Sequence, residues 1–220
     1  MTMFHRRSLG GMLLGAGLLG WRGSSANPVP PAQKLRFIIS RNNSDIGSHE
    51  VSFDPAGEDL AVHINVQMRV GFGPLTFFHY HHRGEERWRG GQFISLQTQT
   101  DDDGDQLHVH AQRTGDHIRV QATGLAPQDL PGTALPLTHW NVACMHAQLF
   151  NPQDGTVMQE KSEPRGSEVV VLANGTRVQA TRYALNGKAP INDWYDEKQV
   201  WTKLTAKVKD GSSLIYTRQV

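Results

Sequence analysis

From Leu60 to Val70 the chain alternates without a break. Leu60, Val62, Ile64, Val66, Met68 and Val70 fall on one face, and His63, Asn65, Gln67 and Arg69 fall on the other. A period of two predicts a half-buried antiparallel strand. The same pattern predicts strands over Lys34–Arg41 and Ile46–Phe53, joined by a turn at Asn42-Asn43-Ser44. After a turn at Asp54–Gly57, further strands are expected over Leu75–His82 and Phe93–Thr100, which flank a Glu-Trp segment and meet at Gly90-Gly91. An acidic turn follows at Asp101–Gly104, then a hairpin of Leu107–His110 and Ile118–Gln121 over Thr114-Gly115-Asp116. Gly124–Pro136 holds three prolines and reads as a loop. His139–Asn151 is the one helix expected: Val142, Met145, Leu149 and Phe150 fit a 3.6 period, with Thr138 as its cap. Strands return over Thr156–Glu160, Glu168–Leu172 and, past the hairpin dipeptide Asn174-Gly175, Arg177–Leu185. Trp201–Lys209 and Ser213–Arg218 close the chain over Asp210-Gly211.

About ten short strands at regular spacing, with no alternating helices, predict an all-β fold. The expectation is a single antiparallel curved sheet, a barrel or half-barrel, with one short plugging helix. The residues assigned to this single domain are 34–220. Aromatic residues at 8%, with 22 Gly and 11 Pro, suit such a turn-rich chain.

The first 26 residues break the pattern. His5-Arg6-Arg7 is a basic head, Met12–Leu19 is a short apolar run, and Ser24-Ser25-Ala26 supplies small residues for cleavage after Ala26. This is the pattern of a secretory signal, and Arg6-Arg7-Ser8-Leu9 matches a twin-arginine export signal. A periplasmic or secreted location follows, with no stable membrane span once the signal is gone, because the run is too short to cross a bilayer. Residues 27–33 read as a proline-rich spacer. Cleavage also changes the charge. Removing Arg6, Arg7 and Arg22 from the 22 basic residues leaves 19 against 21 acidic ones, a net charge of −2. A nucleic-acid partner, which needs a basic patch, is not expected. Cys144 is the only cysteine, so no intrachain disulfide forms, and its apolar neighbours predict a buried inert thiol.

Four groups of side chains could carry chemistry. His79 and His81 share one face of a strand, and with Glu85 or Glu86 they are candidates for zinc or copper; a polar strand face is the competing reading. Glu86 stands two residues from Trp88, and an apolar ring can raise a carboxyl pKa into the range of a general acid. Paired with His139 it would form an acid–base couple. His139-Trp140-Asn141 opens the expected helix, where free backbone N–H groups can meet a substrate oxygen. Trp194-Tyr195-Asp196 offers two aromatic rings and a carboxylate before the closing strands. No Gly-rich phosphate loop or nucleophile elbow is present, and no cofactor is expected.

Six segments occur in a recognisable order: Gly47–Phe53, Glu86-Arg87-Trp88, Thr98–Gly104, His139-Trp140-Asn141, Trp194-Tyr195-Asp196 and Asp210-Gly211-Ser212. With them the chain resembles an exported bacterial family of unknown function, found mainly in proteobacteria. It is more distantly similar to periplasmic lipoprotein carriers and outer-membrane lipoprotein receptors, chiefly in Trp194-Tyr195-Asp196, Trp201–Leu204 and the Asp210-Gly211 hairpin. That resemblance implies an unclosed β half-barrel, plugged by helices on one side, around a hydrophobic cavity.

The expected function is binding of a small hydrophobic or amphipathic ligand, such as a lipid, in a β-cavity. Trp88, Trp140, Asn141, Trp194, Tyr195 and Asp196 are the candidate contacts. The first alternative is a cofactor-free isomerase, cyclase or lyase using Glu86 and His139. The second is a periplasmic metal-binding protein using His79 and His81.

Overall fold

A computed structural model describes residues 33–72, 75–187, 190–208 and 210–220. The expected signal, residues 1–26, and residues 27–32 of the spacer lie outside the described residues. Strands β1 (Lys34–Arg41), β2 (Ser44–Ala56), β3 (Asp59–Phe72), β4 (Leu75–Arg89) and β5 (Gln92–Asp102) run as consecutive hairpins. They are followed by β6 (Asp105–Thr114), β7 (His117–Ala122) and β8 (Leu125–Pro131). Two short strands, β9 (Leu135–Pro136) and β10 (Leu149–Phe150), flank a 3-10 turn over Val142–His146. The last part comprises β11 (Ser162–Val171), β12 (Arg177–Leu185), β13 (Ile191–Asp196), β14 (Trp201–Lys207) and β15 (Ser213–Gln219).

Thirteen strands form one sheet in the order β11-β12-β13-β14-β15-β1-β2-β3-β4-β5-β6-β7-β8. Every neighbouring pair is antiparallel, and β15 joins β1 to link the two ends of the chain. The strands β8 and β11 are the sheet's edges and do not pair with each other, so the curl stays open. The Asn42-Asn43 turn takes φ of 50° and 63°, and Gly90-Gly91 takes 54° and 77°, the left-handed pairs that tight hairpins demand.

The alternation of β3 survives intact: Leu60, Val62, Ile64 and Val66 are buried on the inner face, while His63 and Gln67 are exposed. Three expectations change. The strand expected over Thr156–Glu160 is reduced to a single bridge, Val157 to Phe150. The loop expected over Gly124–Pro136 contains β8, an edge strand, where proline is tolerated because one side needs no donor. The helix expected over His139–Asn151 shortens to the five-residue 3-10 turn, capped by Asn141 rather than Thr138. Its second half is extended because its carbonyls find partners elsewhere. Gln148 O accepts from Leu135 N and Phe150 O from Leu137 N, both at 3.0 Å. Tertiary pairing overrides a helical apolar spacing here.

The segment between β8 and β11 crosses the inside of the curl and fills it. Trp140, Cys144, Leu149 and Phe150 are essentially inaccessible and meet Phe37, Phe53, Trp88, Phe93 and Trp201 from the sheet. Thr98 of β5 donates its hydroxyl to Pro152 O at 2.7 Å, which ties this plug to the wall. No helix among the described residues is long and apolar enough to cross a membrane.

Close strand approach makes one glycine sensitive. A Cβ on Gly47 in β2 would stand 1.9 Å from the carbonyl oxygen of Gln67 in β3, a backbone atom that cannot swing away. Gly47→Ala is expected to cost about 1–3 kcal/mol, the range of an overpacked core position. Urea unfolding of the two forms checks this.

Candidate functional site

Inward parity on β4 puts Glu86 and Trp88 together inside the curl. Glu86 Oε2 accepts from Trp88 Nε1 at 2.6 Å and from Trp140 Nε1 at 3.1 Å, one indole from the wall and one from the plug. Burial pushes the Glu86 carboxyl up to about 7, against the pull of the Thr138 hydroxyl and the two indole N–H groups. Glu86 Oε1 and Thr138 Oγ1 are both buried without a partner of good hydrogen-bond geometry among the described residues. A proton on Oε1 can be donated to Thr138, which satisfies both oxygens at once.

His139 lies on the plug with φ of 66°, a left-handed backbone that costs a non-glycine residue roughly 1 kcal/mol. Three contacts hold it there. Its Nδ1 is 3.0 Å from Oδ2 of the buried Asp193, its ring stacks on Trp201 at 5.3 Å, and its carbonyl accepts from the Tyr195 hydroxyl at 2.7 Å. Asp193 Oδ1 also accepts from Trp201 Nε1 at 2.9 Å. Two more histidines are buried: His49 packs edge-on against Trp201 at 5.1 Å, and His82 stacks with Tyr80 at 6.5 Å. His82 bonds Thr100 Oγ1 at 2.8 Å, and burial lowers its pKa to about 4. His49 is held well below the usual imidazole range by burial, with His139 and His82 adding to the shift, and neither ring nitrogen has a hydrogen-bond partner among the described residues. Glu86 and His139, the expected acid–base couple, therefore belong to separate networks: two indoles hold Glu86, and Asp193 holds His139.

A pocket of about 560 Å³ opens at the mouth of the curl, where the 3-10 turn meets β12 and β13. That volume falls within the ordinary range for small-molecule sites. Asn141, Tyr195 and Asp196, candidates named from two separate sequence motifs, line it together, beside Tyr183, His146 and Val142. Asn141 is fixed by its capping role, with Oδ1 accepting from Ala143 N at 3.0 Å, while its buried Nδ2 has no hydrogen-bond partner among the described residues. The remaining candidates lie elsewhere. Trp88 and Trp140 fill the interior, and Trp194 points to the opposite face of β13 from Tyr195. There it packs with Val170, Leu172 and Ala180 and donates to Glu168 at 2.6 Å.

His79 and His81 do share the outer face of β4, with Tyr80 and His82 stacked on the inner one. Their partners differ: His79 faces Asp101 and Asp103, and His81 faces Asn65. Among the described residues no group of three or more His, Cys, Asp or Glu is placed to hold a metal ion. The same outer face carries a larger and more open groove of about 1010 Å³, lined by carboxamides and histidines without an aromatic anchor.

The family described as a domain of unknown function, DUF6134, matches residues 37–219. The chain belongs to that family. The DUF6134 fold is similar to the crystal structure of a β-barrel-like protein of another domain of unknown function, DUF1849, from Brucella abortus. The TM-score is 0.60 at 12% identity, over 84% of this chain and 94% of that one. At such identity the likeness concerns the fold alone. No protein of curated function matches the DUF6134 chain.

Several residues of the DUF6134 interior were not singled out from sequence. His49 shares its parity with Val51 and Phe53, and His82 shares its parity with Glu86 and Trp88, so strand phase alone places both inside. Asp193 and Tyr183 carried no such signal, because β13 was not recognised and Tyr183 sits on a strand read only as a hairpin arm.

Proposed function

We propose that this protein is an exported binding protein that seats a small amphipathic ligand in the mouth pocket. The observation that supports this most is the meeting of Asn141, Tyr195 and Asp196 in one pocket of about 560 Å³, walled by aromatic rings and bordered by polar groups. The ligand's apolar part would lie against Val142, and its polar head between the Tyr183 and Tyr195 rings and the rim. The interior proper is filled by the plug, so the site lies beside the plug rather than beneath it. Export by the twin-arginine signal, maturation after Ala26, and distant kinship with lipoprotein carriers are parts of the same reading. Acid–base chemistry by Glu86 and His139 needs both groups to face one substrate. Glu86 is wholly enclosed, with Oε2 shared by two indoles, and this favours binding over catalysis.

Expression with its own signal, purification from the periplasm, native mass spectrometry and organic extraction test the proposal. The expected result is a mature chain starting at Asn27 with a co-purified amphipath. Titration with the neutral fluorescent probe N-phenylnaphthylamine should saturate. Val142→Trp, which fills the mouth from a half-buried position, should weaken that binding about tenfold, the loss expected from blocking an apolar contact. An empty protein with no saturable probe binding overturns the reading.

A further inference from the structure

We propose that the mouth pocket receives an alkylammonium group, the cationic head of its amphipathic ligand; this rests on the binding reading above. Three rings line the pocket from three elements: His146 from the 3-10 turn, Tyr183 from β12 and Tyr195 from β13. The His146 and Tyr183 rings are 5.8 Å apart at 87°, and the Tyr183 and Tyr195 rings are 5.9 Å apart at 77°. Both are edge-to-face contacts, so the three rings form one continuous aromatic patch in the pocket lining. A cation within about 6 Å of the centroid of a tyrosine ring is drawn to its negative π-face, and methylated ammonium groups suit aromatic sites because they shed water readily. The Tyr195 ring is fixed in advance, since its hydroxyl is committed to the His139 carbonyl at 2.7 Å.

Charge points the same way. Asp196 and Glu197 line the pocket, and no Lys or Arg is among the described residues that line it. The Asp196 carboxylate is held on the rim by the backbone N–H groups of Lys198 and Val200, both at 2.9 Å. Arg218 stands 3.7 Å from Asp196 and offsets part of its charge; Glu197 is exposed. An anionic head would meet two carboxylates, and a neutral head could gain only hydrogen bonds from them. An ammonium head gains from both the rings and the rim.

Three probes with one tail and different heads test this: decyltrimethylammonium, decanoate and 1-decanoylglycerol, titrated by calorimetry below their micelle-forming concentrations. The ammonium probe should bind about tenfold tighter than either of the others. Tyr183→Leu keeps apolar bulk and removes the π-face, and it should cut that preference by about threefold or more. Glu197→Gln lies on the exposed rim, where folding is not at stake, and should also reduce it. Equal binding of all three heads overturns the ammonium inference and leaves the amphipath reading standing. A preference for decanoate, or a preference untouched by both substitutions, also overturns it. Binding of none of the three overturns both readings.

Discussion

Glu86→Gln is expected to leave stability nearly unchanged at pH 5 and to raise it by up to about 3 kcal/mol at pH 8. The sign follows from proton counts. The folded carboxyl titrates near 7, and the unfolded one near its ordinary value of 4.5. Between those values the unfolded chain has released the proton and the folded chain still holds it. Stability therefore falls as pH rises from 4.5 to 7, and the loss is complete above 7. Glutamine removes this term. Its carbonyl can still accept from Trp88 and Trp140, and its amide can donate to Thr138 Oγ1, which the ionised carboxylate leaves without a donor. His49 and His82 act in the opposite sense, because their depressed pKa values make the folded state lose stability as pH falls below about 6.5. The comparison must therefore be made as a difference between variant and wild type at each pH. Urea unfolding at both values checks it, and a variant equally or less stable at pH 8 would show that Glu86 is not a buried carboxyl of raised pKa.

The alternating strands were legible because a single rule, apolar residues every second position, governs any sheet with one buried face. Lys34–Arg41 and Arg177–Leu185 have the same bounds in sequence and structure for that reason. The rule failed where a strand carried prolines, as in β8, and where consecutive residues are buried, as in Asp193-Trp194-Tyr195 of β13. The plug was misread because Val142, Met145, Leu149 and Phe150 are spaced as on a helix but are buried for a different reason. They fill the curl from a chain whose carbonyls bond to β9 and to the segment after Phe150. Glu86 beside Trp88 could be read as a buried carboxyl from strand parity; its second indole, from Trp140, could not, because that contact spans 54 residues. Asn141, Tyr195 and Asp196 were named from separate motifs, but only the fold shows that they border one space.

Trp140→Ala should have the largest effect of any substitution in the plug, about 3–5 kcal/mol, the range for removing a large aromatic from a packed core. Trp140 is 1% exposed, packs edge-on against Phe53 at 5.3 Å and Trp88 at 5.4 Å, and donates to Glu86. Two contributions are mixed in that figure, and they separate by pH. The cavity term is the same at pH 5 and pH 8. The lost hydrogen bond matters only where Glu86 is ionised, because removing a donor from a buried carboxylate leaves its charge less compensated. Trp140→Ala should therefore be more destabilising at pH 8 than at pH 5. Trp140→Phe, which keeps most of the packing and loses only the N–H, should be mild at pH 5 and cost about 1–2 kcal/mol more at pH 8. In the Glu86→Gln background the pH dependence of both substitutions should vanish, since no charge remains to lose its partner. If Trp140→Ala costs under about 1 kcal/mol at either pH, the plug is not part of the cooperative core. The mouth pocket would then lose its fixed wall, because Asn141 is positioned by the same segment.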